Sequence, residues 1–98
     1  MMEYMLSSKD RAALRRLANP IETILQIGKG GITENVIRQA DEALCARELI
    51  KVRVLETAML TAREACGEMA RALSAEPVQC IGTRFVLYRQ SKEKKIVF

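Results

Sequence analysis

Three glycines in four positions, Gly28-Lys29-Gly30-Gly31, are the residues of this chain best suited to hold an anion. Glycine reaches backbone conformations that other residues avoid, and it has no side chain to keep a ligand from the amide groups. Thr33, two residues further on, is suited to cap a helix. A helix beginning there places unpaired N–H donors and a partial positive charge next to the loop. Lys29 adds a full charge on a long stem. The chemistry on offer is binding of phosphate by main-chain amides, with no bond made or broken.

Spacing narrows the kind of phosphate. A dinucleotide fingerprint, G-x-G-x-x-G, fits at Gly28 and Gly30 and fails at Thr33, and the P-loop pattern G-x-x-x-x-G-K-[ST] is absent. The tetrapeptide does satisfy G-x-x-G, with which nucleic-acid-binding KH modules clamp a ribose-phosphate backbone. On the residues alone two readings stay open: a cradle for RNA backbone, and a turn with a purely structural purpose.

Other chemistry is poorly supplied. The chain has no histidine, which removes the commonest general base and the commonest metal ligand together. Cys45, Cys66 and Cys80 are odd in number and lack C-x-x-C spacing. They are expected to be reduced core residues, not a disulfide framework or a zinc site. No catalytic residue, metal or cofactor is expected, and the chain does not read as an enzyme.

The net charge of +4 is unevenly spread. Arg11, Arg15 and Arg16 crowd one segment with Lys9 against Asp10 alone, whereas Thr61 to Glu76 is slightly acidic. No acidic residue stands four positions beyond any of these three arginines, which favours a phosphate-facing role over a merely solvated helix face. Lys51 and Arg53 alternate with apolar residues. Protection of an exposed sheet face or edge from aggregation is favoured over RNA contact for them. Arg84 adjoins a turn and can reach outward; Arg89 has the opposite strand parity. Lys92, Lys94 and Lys95 read as a mobile electrostatic arm, and Tyr88 as a core residue. Aromatics are only 4% of the chain, too few for bases to stack on several exposed rings. Recognition is therefore expected to run through phosphates, ribose and shape, with strong salt dependence.

The elements that must position these residues can be read locally. At 98 residues, 49% apolar and 29% charged, the chain is one globular domain. Ser7 and Asp10 form a capping box for a helix with Ala13, Leu14, Leu17 and Ala18 on its apolar face and Arg11, Arg15 and Arg16 opposite. Asn19-Pro20 ends it. Thr23 to Ile27 reads as a strand, and the glycine turn follows. Thr33 caps a helix whose stripe is Val36, Ile37, Ala40, Ala43 and Leu44, with Ile32 stapled to Ile37. Leu49 to Leu55 alternates as a strand with one buried face. Thr61 and Glu64 box a third helix lined by Ala65, Cys66, Met69, Ala70 and Leu73. Val78 to Ile81 and Arg84 to Arg89 form a hairpin about Gly82-Thr83. The order α-β-α-β-α-β-β predicts an α/β fold: a small mixed four-stranded sheet with packed helices, parallel neighbours at the crossovers and an antiparallel final pair. No apolar run approaches the roughly 20 residues that span a bilayer. Met1 to Leu6 does not read as a signal peptide. A cytoplasmic monomer is expected.

Several of these blocks occur together in one known family. Leu14-Arg15-Arg16-Leu17-Ala18, Gln26-Ile27-Gly28-Lys29-Gly30-Gly31-Ile32-Thr33, Glu48-Leu49-Ile50-Lys51-Val52, Ile81-Gly82 and Phe85-Val86-Leu87-Tyr88-Arg89 stand in the family's order. By them the chain resembles the CRM domain (chloroplast RNA splicing and ribosome maturation) family, and most closely its bacterial stand-alone YhbY-type members. The resemblance implies a domain over 5–90 with a basic tail at 91–98, and a fold similar to the C-terminal domain of translation initiation factor three. It also implies RNA binding through the glycine loop and, for bacterial members, association with ribosomal RNA of large-subunit precursors. The candidate RNA-binding set is Gly28, Lys29, Gly30, Gly31 and Thr33, with Arg11, Arg15, Arg16, Lys51 and Arg84. The competing reading is an adaptor whose basic surface docks an acidic protein. A nucleotide-binding enzyme ranks behind both.

Overall fold

The computed structural model describes residues 7–91. Its elements run α1 (Ser8–Ala18), β1 (Leu25–Ile27), α2 (Glu34–Arg47), β2 (Leu49–Val54), a single 3₁₀ turn (Glu56–Ala58), α3 (Ala62–Leu73), β3 (Glu76–Ile81) and β4 (Arg84–Tyr88). This is the expected α/β order. The helix starts follow from local chemistry. The Ser7 hydroxyl accepts from the Asp10 amide at 3.0 Å, and Thr61 accepts from the Glu64 amide at 3.1 Å. In both boxes the acidic side chain reaches back to the cap's own N–H, which satisfies two end donors at once. Thr33 caps α2 by accepting from Val36 N at 3.2 Å.

The sheet order is β1-β2-β4-β3. β1 and β2 are parallel, β2 and β4 antiparallel, and β4 and β3 antiparallel. β3 thus runs parallel to β2, as its crossover through α3 requires, but is not its neighbour. β4 turns back through the hairpin and inserts between them, splitting the expected parallel pair. Proline in β3 is tolerated because β3 is an edge. Beside Pro77 the register shifts, and Val78 is buried at this irregularity.

Both faces of the sheet are covered, unequally. α2 and α3 lie over the face presenting Leu25, Ile27, Ile50, Val52, Val54, Phe85 and Leu87, which forms the main core with Ala40, Leu44, Ala65 and Met69. α1 covers one end of the other face, where Leu14 and Ala18 pack with Leu49, Val78, Val86 and Tyr88. β2 therefore has buried residues on both sides at its Leu49 end, unlike the one-sided strand expected. It is also central, so Lys51 and Arg53 do not guard an edge. β1 is shorter than the strand expected over Thr23 to Ile27. Leu17 is 44% exposed instead of joining the α1 stripe. Only Cys66 of the three cysteines is buried; Cys45 and Cys80 are exposed. Tyr88 is fully buried, as a core residue. The tail lysines, from Lys92 on, lie outside the described residues. Among the described residues no helix is long and apolar enough to cross a membrane.

Candidate nucleic-acid interface

The glycine loop leaves the sheet at the end of β1. Gly31 N donates to Gly28 O at 2.9 Å, closing a turn with Gly31 in the left-handed region at φ 69°. One of the four loop amides is thus consumed internally. Among the described residues, the amides of Lys29, Gly30 and Ile32 have no protein acceptor. They remain open to an outside anion. Lys29 and Gly30 are exposed. At the helix start beyond, Glu34 places its own carboxylate in the first turn of α2. It complements the positive helix end and competes with a phosphate there. The loop amides are better placed for an anion than the first turn itself.

The fold requires glycine at only one of these positions. Gly31 needs it for its positive φ. A Cβ on Gly28 would meet Leu55 and Thr57 at 3.7 and 3.8 Å, and one on Gly30 would meet the Thr33 methyl at 3.4 Å. Both can be accommodated. Internal packing therefore does not require bareness at Gly28 and Gly30.

The sheet face that α1 only partly covers presents residues in rows set by the strand registers. The row under α1 pairs Leu49 with Tyr88, and Tyr88 with Glu76. The next holds Lys51, Val86 and Gln79. The last holds Gln26, Arg53, Arg84 and Ile81, beyond the helix and mostly exposed. This bare row begins on β1 two residues before the glycine loop. Val54 N donates to Thr83 O at 2.7 Å and Leu55 N to Ile27 O at 2.9 Å, tying the hairpin and the loop to one end of the sheet. Lys51 is half-buried, while Arg53 and Arg84 are exposed. None of the three forms an ion pair among the described residues.

The sequence-derived residues thus fall into groups. Gly28 to Gly31 and Thr33 stand at the β1 edge. Lys51 and Arg84 share the open sheet face. Arg15 and Arg16 are exposed in the last turn of α1, whose end borders that face; there they also complement the negative helix end. Arg11 departs from its expected place on the solvent side. Three and seven residues before Leu14 and Ala18, it flanks the packed stripe. Its guanidinium is half-buried and lies 3.8 Å from Glu76 of β3, at the covered end of the sheet. Sequence spacing excluded an acidic partner on its own helix but could not see one on a distant strand. Arg53 was absent from the candidate set. Its alternation with Ile50, Val52 and Val54 was visible, but its neighbour was not.

Arg89, of opposite parity, turns to the other face. It donates to the Asp41 carboxylate at 2.8 Å, to Leu73 O at 3.0 Å and to Asp41 O at 3.1 Å. It joins α2 to α3 and is spent on structure. Glu48, also at positive φ, is fully buried and accepts from Ser91 N at 2.7 Å and Ser91 Oγ at 2.8 Å.

With this geometry in view, comparison with known proteins is decisive for kinship. The family model of the CRS1/YhbY (CRM) domain matches residues 6–89. The chain belongs to the CRM domain family. It is 42% identical over 91 residues to a Bacillus subtilis protein named "Probable RNA-binding protein YqeI", covering 93% of this chain and 95% of that one. A Haemophilus influenzae protein named "RNA-binding protein" is 37% identical over 91 residues, covering 93% and 92%. The solution structure of SAV1595 from Staphylococcus aureus superposes with a TM-score of 0.76 at 45% identity, covering 93% and 95%. These two relatives and this solved structure match the CRM chain over nearly their whole lengths.

Proposed function

We propose that this CRM domain binds RNA by its ribose-phosphate backbone, along a path from the Gly28–Gly31 loop across the Arg53–Arg84 row. The observation that carries the reading is the row itself. Lys51, Arg53 and Arg84 gather on the open part of one sheet face, where the strand carboxylate Glu76 lies at the covered end against Arg11, and they stand beside a loop whose free amides can donate to phosphate. Such a cluster repels itself in the free protein and is relieved by a polyanion. The names of the relatives support the same ligand class. Arg15 and Arg16 extend the positive surface along α1.

The chain acts by binding, as a monomer in the cytoplasm, and its likeness to bacterial CRM proteins supports a role in assembly of the large ribosomal subunit. The RNA is then ribosomal RNA of a large-subunit precursor. Gly30→Asp tests the loop. It sets a carboxylate where phosphate should lie, in a site that tolerates a Cβ. RNA affinity should fall about tenfold or more, about 1.4 kcal/mol, with unchanged thermal unfolding. Equal binding by the folded variant would remove the loop from the interface. In cell extracts, the tagged chain should co-sediment with large-subunit precursors and be released by ribonuclease. Retention after ribonuclease would favour the adaptor reading, in which the basic face docks an acidic protein.

A further inference from the structure

The bare row ends in a small cavity of about 170 Å³ at the seam between the end of α1 and the sheet. Its apolar surface comes from Ala18, Val86 and Ile81, its charge from Lys51 and Arg84, and its neutral hydrogen-bonding groups from Asn19 and Gln79. The volume is below the roughly 300–1,000 Å³ of drug-sized ligand sites, leaving room for one ring system. Ile81 is 63% exposed on an edge strand. Its register partner Arg84 is on β4, and no packing in the fold uses its side chain as a core residue.

We propose that this cavity receives one unpaired nucleobase of the bound RNA, a site that rests on the RNA-binding reading above. An unstacked base needs an apolar or planar surface for its faces and amides for its edge. Ile81 and Val86 supply the first, with the planar Arg84 guanidinium as a second stacking surface. Gln79 and Asn19 each carry both donors and an acceptor, so they can meet a base edge whichever way its polarity runs. Lys51, half-buried at the wall, and Arg84, exposed at the rim, neutralise the phosphates flanking the base. The cations discriminate against an apolar peptide as occupant, and the amides and apolar surface discriminate against a bare phosphate. The register connects this cavity to the glycine loop: Gln26, Arg53, Arg84 and Ile81 form one continuous row. At about 4.8 Å per strand, the row is short enough for a few nucleotides to cross. Phosphates on the loop and a base in the cavity are therefore compatible with a single strand. The domain would then select RNA with an unpaired nucleotide, although among the described residues no aromatic ring is exposed to perform this task.

The test compares a short RNA hairpin carrying one bulged adenosine with its fully paired counterpart. The protein should bind the bulged hairpin about tenfold more tightly, in keeping with the value of one stacked base. Gln79→Leu should abolish that preference while retaining the affinity for the paired hairpin and the salt dependence. Ile81→Ser, at an exposed position that the fold does not need, should weaken the preference in the same direction and guards against a folding defect in the first variant. In NMR spectra, the Gln79 side-chain amide signals should shift with the bulged RNA only. Equal binding of both hairpins by the unaltered protein, or an undiminished preference in both folded variants, would overturn the proposal. If Gly30→Asp still weakens binding in either case, the backbone interface stands and only the base site falls. If neither hairpin binds, the RNA-binding reading itself fails.

Discussion

Arg53 of β2 and Arg84 of β4 stand directly opposite each other across an antiparallel pair, on the same face of the sheet. Side chains so placed have Cβ atoms about 4.5–5.5 Å apart, and like charges there are destabilising. Neither arginine is neutralised by a carboxylate among the described residues. A fold optimised for stability alone would not place them so.

Removing one member should therefore move stability and binding in opposite directions. Arg53→Thr retains a good strand residue and relieves the repulsion, so unfolding free energy should rise by about 0.5 kcal/mol. RNA affinity should fall about tenfold, the value of one charge-assisted contact. Urea denaturation and filter binding on the same preparation decide it. Lower stability of Arg53→Thr would mark the arginine as a structural residue.

Salt should reveal how many phosphates the surface neutralises. For single-stranded RNA, log affinity should fall against log salt with a slope of roughly −0.7 per phosphate met. Lys51→Ala and Arg84→Ala should each make the slope shallower by about that amount. A nearly flat response in the unaltered protein would leave no electrostatic interface to describe.

Gly30 and Gly31, two of the turn's three glycines, should separate fold from function. Gly31→Ala must hold an alanine at φ 69°, which should cost about 1–2 kcal/mol and lower the melting temperature. Gly30→Ala faces only the Thr33 methyl at 3.4 Å and should melt near the original temperature, while binding RNA more weakly because a methyl group covers the amide. Calorimetry with a binding titration distinguishes the two effects.

Burial pushes the Cys66 thiol up from its ordinary 9.0 to about 11, with Cys80 adding to the effect. At about pH 8 a maleimide should modify Cys45 and Cys80 in the folded protein and reach Cys66 only on unfolding. The folded state holds the Cys66 proton more tightly than the unfolded state does. Its contribution to stability is therefore full below about pH 9 and is lost as pH rises from there through about 11. A Cys66→Ala variant should lose that part of the alkaline pH dependence in urea denaturation.

The buried Glu48 carboxylate fastens Ser91 to the junction of α2 and β2 through two hydrogen bonds. Glu48→Ala should lower stability by about 2–3 kcal/mol, since it leaves a cavity and strips the half-buried Ser91 donors of their acceptor. Ser91→Ala should cost about 1 kcal/mol. Both should leave RNA affinity unchanged, as measured on the folded fraction.

What the sequence determined by itself is everything governed within a few residues. Ser7 with Asp10, and Thr61 with Glu64, set two helix starts. The alternation of Ile50, Val52 and Val54 set the buried face of β2, and the glycines set the turn before α2. These depend on hydrogen bonds and periodicities that close locally, so the element order and the loop were legible. Only the tertiary structure decided that β4 inserts between β2 and β3. Strand order is a competition among long-range pairings that share the same local pattern, and no spacing within one segment resolves it. That insertion sets Arg53 against Arg84 and brings Gln79 and Ile81 beside Lys51. The packing of α1 likewise delivers Arg11 to Glu76, 65 positions along the chain, leaving Arg15 and Arg16 in solvent. Local chemistry placed the glycine loop; the sheet's long-range order assembled the cationic surface beside it.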